Sequence, residues 1–155
     1  MRDRDRSLGE HRSRVRLCVF LIILNLCFIW GNSLLPGTVS GAISRWVQQV
    51  LTELLPHLDL SGSTGHGLLR KLAHFSEFTS LGLLLTWLFA MLGRKPWLSL
   101  LCGFPAACLD ETIQYFVPGR GPGIRDVGID FSGVLLGVLL FLLGSGIHQK
   151  CKRTK

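Results

Sequence analysis

The chain has 155 residues, 48% of them hydrophobic, a mean hydropathy of +0.39 and a formal net charge of +7. That length allows one domain, and four long apolar stretches exclude an ordinary soluble protein in favour of a membrane protein. The positive charge does not call for nucleic acid: the basic residues gather at segment ends without interleaved aromatics, and anionic lipid headgroups suffice as partners.

The predicted organisation is a basic tail over 1–16, a single membrane domain over 17–147 and a second basic tail over 148–155. The fold class is all-α, a four-transmembrane-helix bundle with spans at about 17–35, 68–92, 96–117 and 127–147. Each stretch approaches the ~20 residues needed to cross a ~30 Å hydrocarbon layer. A basic run before Leu17 also fits a signal peptide, but the apolar stretch is long and no small-x-small cleavage motif precedes Pro36. The first span is therefore read as an uncleaved anchor. Asn25 here and Thr86 in the second span, isolated in mid-span, are expected to make helix-packing hydrogen bonds.

The outer loop, 36–67, contains an amphipathic helix at about 41–55 in which Ile43, Trp46, Val47, Val50, Leu51, Leu54 and Leu55 share one stripe. Ser40 is positioned to cap it and Pro56 to stop it. Such a helix lies at the membrane surface or over the bundle, as an anchor or as a lid. His57, Asp59 and His66 read as exposed loop residues.

The second span enters through Arg70, Lys71, His74 and Glu77, with Arg70, His74 and Glu77 on one helical face. In the third, Gly103-Phe104-Pro105 predicts a kink, and Asp110, Glu111 and Gln114 follow within about two turns of the outer boundary. The loop after it supplies Arg120 and Arg125. Asp126 and Asp130 open the fourth span, one turn apart, on a stripe continued by Gly133 and Gly137, which permit close packing beneath the acids.

Lys and Arg accumulate on the cytoplasmic side of short loops. The amino-terminal tail holds six Arg, the 93–96 link holds Arg94 and Lys95, and the carboxy-terminal tail holds Lys150, Lys152, Arg153 and Lys155. Both termini are therefore expected in the cytoplasm, with the acids, bases and amide converging on the outer leaflet of the cytoplasmic membrane. Charged groups at such depth mark functional sites by default, although loop arginines can also be interfacial anchors. The five cysteines lie in spans or the inner tail, so no structural disulfide is expected.

Arg70-Lys71-x-x-His74-Phe75-x-Glu77-Phe78, Asp110-Glu111-x-x-Gln114-x-Phe116-Val117-Pro118-Gly119-Arg120, and Asp126-Val127 followed by Gly133 and Gly137 resemble the VanZ-like family. The resemblance covers about residues 68–140. It implies a small polytopic bacterial membrane protein, from a family whose name-giving member is associated with teicoplanin resistance and whose biochemical activity is generally unassigned. Lys71, His74, Glu77, Asp110, Glu111, Gln114, Arg120 and Asp126 would be its motif residues. Asp130 departs from the family's common Asn, adding a negative charge.

Two functions compete. In the first, Arg70, Lys71, Gln114, Arg120, Arg125, Asp126 and Asp130 bind an anionic envelope lipid or lipid-linked wall precursor, with guanidinium forks on phosphate. In the second, a membrane-embedded enzyme modifies such a headgroup with His74, Glu77 and the Asp110/Glu111 pair as candidate catalytic groups. No nucleophile motif supports the second. His74, Glu77, Asp110 and Asp126 match no metal signature, so no metal or cofactor is expected. A transporter is disfavoured because the inner halves of the spans lack a polar path.

Overall fold

A computed structural model of the protein describes residues 2–54, 63–121 and 123–153, with side chains over 6–54, 67–121 and 123–146. Among these residues the chain is all-helical: α1 Arg2–Ser33, α2 Gly37–Leu54, α3 Ser63–Met91, α4 Trp97–Tyr115 and α5 Ile124–Arg153. Pro56, His57 and Asp59, and the side chains of His66 and Cys151, lie outside the described residues.

Three helices are long and apolar enough to cross a membrane, over Arg6–Ser33, Gly67–Met91 and Ile124–Gly146. The expected fourth, α4, is not among them, since Asp110, Glu111 and Gln114 fall within its 19 residues. Helix boundaries also differ from expectation. α1 begins in the basic tail at Arg2, so the composition change at Leu17 marks no structural boundary; Arg is nearly as good a helix former as Leu. α2 begins at Gly37, where the Pro36 carbonyl accepts from the Val39 and Ser40 amides, so Ser40 is inside the helix instead of capping it.

The turns have local causes. α3 ends in a paired-carbonyl cap, with Arg94 N–H on Phe89 O at 2.7 Å, Gly93 N–H on Ala90 O at 3.1 Å, and Gly93 at φ +64°. α4 runs through Pro105 as one helix. Gly103 admits α5: a Cβ there would lie 2.5 Å from a Val134 methyl.

The bundle packs α1, α4 and α5 around α3. Gly133 faces the Phe75 carbonyl, where a Cβ would come within 2.5 Å; Gly137 faces the Thr79 carbonyl and Gly82 the Val134 backbone. Small residues thus let α3 and α5 approach backbone to backbone, as expected of the Gly133/Gly137 stripe. The mid-span expectations also hold: Asn25 donates to Ser80 Oγ at 2.6 Å and Thr86 to Ser99 Oγ at 3.0 Å.

The polarity is inverted relative to a soluble bundle. Ten hydrophobic and ten polar or charged residues are buried among those described, while Phe20, Leu24, Phe28, Leu101 and Leu143 face outward. Apolar groups outside and paired polar groups inside are what a hydrocarbon solvent selects. Alternating helix directions bring residues 32–35, 70–77, 110–120 and 123–130 to one end of the bundle.

Candidate functional site

Asp110 is fully buried and held by the ends of two helices. Ser33 Oγ, on the last turn of α1, donates to its Oδ1 at 2.7 Å, and Gln114 Nε2, one turn along α4, donates to its Oδ2 at 2.7 Å. The same amide reaches Glu111 Oε1 at 3.2 Å. Glu111 Oε2 accepts from Gly123 N–H at 2.9 Å, which ties the α4–α5 loop to α4. Hydrogen bonds to charged acceptors are worth about 1.5–3 kcal/mol, so this network meets much of the cost of burying two adjacent acids.

His74, on α3, faces the same cluster. Its Nδ1 stands 3.6 Å from Asp110 Oδ2 and 3.8 Å from Glu77 Oε2. Both distances exceed a hydrogen bond. Glu77 is fixed through its other oxygen by Asn32 Nδ2 at 2.8 Å. Asp130 enters from α5, 2% exposed, with Oδ2 lacking a partner among the described residues. His74, Asp110 and Asp130 can place one ligand atom each within 4.8 Å of the other two.

Arg120 returns to the end of α1, where Nε donates to Leu35 O at 3.0 Å and Nη2 to Asn32 O at 2.6 Å. Its Nη1 is buried without a partner among the described residues. Burial, then the neighbouring positive charge of Arg70, lower the Arg120 pKa from its ordinary value. Neither arginine has a carboxylate within ion-pair distance among the described residues. Both line a cavity of ≈ 140 Å³ with Asn32, Ser44, His74 and Glu77, roofed by Ile43 and Val47 of α2.

The start of α2 is anchored over this cavity. Gly37 N–H donates to Pro118 O at 3.0 Å, and Gly37 packs against the backbone of Gly119, itself at φ +75°. The apolar stripe of α2 is rotated relative to the bundle. Gln48 is its buried residue, whereas Ile43, Trp46 and Leu54 are exposed. One edge of the stripe thus lines the cavity and the other is exposed.

The sequence-derived residues separate into three groups. Arg70, His74, Glu77, Asp110, Glu111, Gln114, Arg120 and Asp130 converge at one end of the bundle. Lys71 and Asp126 form a 2.8 Å ion pair at its rim, with side chains 43% and 25% exposed, where a pair of this kind is worth little. Arg125 is exposed and lines neither this cavity nor the smaller one beside His74. The sequence reading does not single out Asn32 and Ser33 as site residues, although both close the first apolar stretch at the end where the other polar residues gather. Cys18, Cys27, Cys102 and Cys108 are free thiols.

A family model described as VanZ/LLP1 matches residues 17–145. No curated protein matches the chain, and no solved structure matches it.

Proposed function

Because the chain belongs to the VanZ/LLP1 family of membrane proteins, we propose that it is a bacterial cell-envelope protein that binds an anionic lipid, or a lipid-linked wall precursor, from the outer leaflet. In this reading α4 crosses the membrane as a fourth span. Its 19 residues cover about 28 Å at 1.5 Å per residue, its acids face inward, and Trp97, Leu101 and Phe104 face outward. The termini lie in the cytoplasm, where the basic residues gather.

The observation that carries the proposal is one seam between α1 and α3. At its polar end lies the ≈ 140 Å³ cavity with Arg70 and Arg120, which have no carboxylate within ion-pair distance among the described residues. Directly below, Leu21, Leu24, Phe28, Leu83 and Leu84 border an apolar groove of ≈ 570 Å³ that opens to the lipid side. A charged head above and a hydrocarbon trough below match an amphiphile held upright in its own leaflet. The buried Nη1 of Arg120 lacks the acceptor that a phosphate oxygen would supply.

A second reading, modification of the headgroup, draws on His74, which lines the cavity wall with its ring backed by Asp110. Mass spectrometry of lipid co-purified in native membrane discs separates the two. Loss of an anionic lipid in Arg120→Ala and Arg70→Ala, with lipid chemistry unchanged, supports binding; a modified lipid made only by wild type supports catalysis. Unchanged lipid retention in both arginine variants would sink the proposal. Altered access to surface lipid would also alter susceptibility to an acylated glycopeptide such as teicoplanin, measurable in cells carrying the same variants.

A further inference from the structure

We propose that His74, Asp110 and Asp130 bind one divalent transition-metal ion, of the Zn²⁺ or Mn²⁺ class, at the polar end of the bundle. The three side chains come from α3, α4 and α5 and are 9%, 0% and 2% exposed. A buried carboxyl stays ionised only with donors, a cationic partner or a metal, and is otherwise protonated. Asp110 has donors in Ser33 and Gln114. Asp130 Oδ2 and His74 Nδ1 have none among the described residues, and the two residues belong with Asp110 to a group offering one ligand atom each within 4.8 Å of one another. Lys71, which borders the adjoining void, is engaged by Asp126 at 2.8 Å.

The spacing fits a shared ion better than direct contact. His74 Nδ1 and Asp110 Oδ2 are 3.6 Å apart. Two ligands at about 2.1 Å from one metal stand roughly 3 to 3.5 Å from each other. The other two separations lie within 4.8 Å. Beside the cluster, a void of ≈ 20 Å³ bordered by Arg70, His74, Gln114 and Asp130 gives room for one water-sized sphere. One imidazole with two carboxylates favours Zn²⁺ or Mn²⁺ over Mg²⁺ or Ca²⁺, and two carboxylates balance the ion's charge. Gln114 and Ser33 hold Asp110 from behind, as outer-shell donors orient ligands elsewhere.

The test uses tag-free, chelator-stripped protein in neutral-lipid discs, so it does not depend on binding of an anionic lipid. Zn²⁺, Mn²⁺ or Mg²⁺ alone is added, and bound metal is counted by equilibrium dialysis with elemental mass spectrometry. The expected result is one Zn²⁺ or Mn²⁺ per chain with a raised melting temperature, and at least tenfold weaker binding in Asp130→Asn and His74→Gln but not in the exposed-acid control Glu53→Gln. Asp130→Asn without metal should melt no lower than metal-free wild type, because an amide replaces an unpartnered buried carboxylate; loss of its metal response then reflects the ligand and not the fold. Absence of stoichiometric metal in wild type, or wild-type affinity in Asp130→Asn, would overturn the site.

Discussion

Asp110 has no exposed surface because two neutral donors, Ser33 and Gln114, each give it a 2.7 Å hydrogen bond. Removing one leaves a carboxylate oxygen without its principal donor in a region poor in water. Ser33→Ala is therefore expected to destabilise the protein by about 1–3 kcal/mol, the cost of an unsatisfied buried polar group. Lys71→Ala breaks a half-exposed ion pair and should cost under about 1 kcal/mol. Thermal unfolding of both variants in the same lipid discs checks the order; an equal or larger loss in Lys71→Ala would mean that the rim, and not the buried acid, holds this end together. At this scale the sequence shows which residues converge but not how they pair. Asp126 and Asp130 share a helical stripe, yet one turn of depth divides them: Asp126 reaches Lys71 at the rim, and Asp130 is buried beside Asp110. Ser33 and Asp110 are 77 positions apart, and nothing local to either predicts the bond.

Among the elements, α3 and α5 are held by backbone proximity, which makes glycine identity testable by position. A Cβ on Gly133 would press on the Phe75 carbonyl, whereas one on Gly128 meets nothing within 4 Å. Gly133→Val should separate the two helices and cost at least about 1–3 kcal/mol, as overpacking does. Gly128→Ala should be neutral or stabilise α5 by up to about 1 kcal/mol through helix propensity. Unfolding of the two variants side by side reads this out; similar effects would show that the Gly133 contact is not what sets the interhelical distance. The same reasoning applies to α2, whose first residue contacts Gly119 backbone to backbone. Gly37→Val should lift the start of α2 off the α4–α5 loop and speed maleimide labelling of a Ser44→Cys reporter in the cavity wall several-fold. An unchanged labelling rate would mean that α2 does not close the cavity. The amphipathic period locates α2 in the sequence, but not its rotation. The apolar stripe and the bundle-facing side, marked by Gln48, do not coincide, and periodicity within one helix carries no information on which side its neighbours pack.

For the molecule as a whole, three helices are long and apolar enough to cross a membrane, and the polar residues of the candidate site are what keep α4 from being a fourth. Three polar residues near one end of α4 lower its apolar character, and the bundle offsets their cost by enclosing them, which a window along one helix cannot register. The resulting arrangement makes a definite demand on topology. If α4 spans, the Gly93–Lys95 turn and the Gly119–Gly121 loop lie on opposite faces of the membrane, with the latter outside. In a cysteine-free background, Gly121→Cys should react with a membrane-impermeant maleimide in intact cells. Arg94→Cys should react only after permeabilisation, and so should a cysteine at Arg12 in the amino-terminal part of α1. Gly121 is exposed and a Cβ there meets nothing within 4 Å, so the reporter itself should be tolerated. Labelling of Gly121→Cys and Arg94→Cys from the same side would make α4 a re-entrant segment. An inside location for Gly121 would instead turn the Arg70–Arg120 cavity toward the cytoplasm, and its ligand would have to be sought in the inner leaflet.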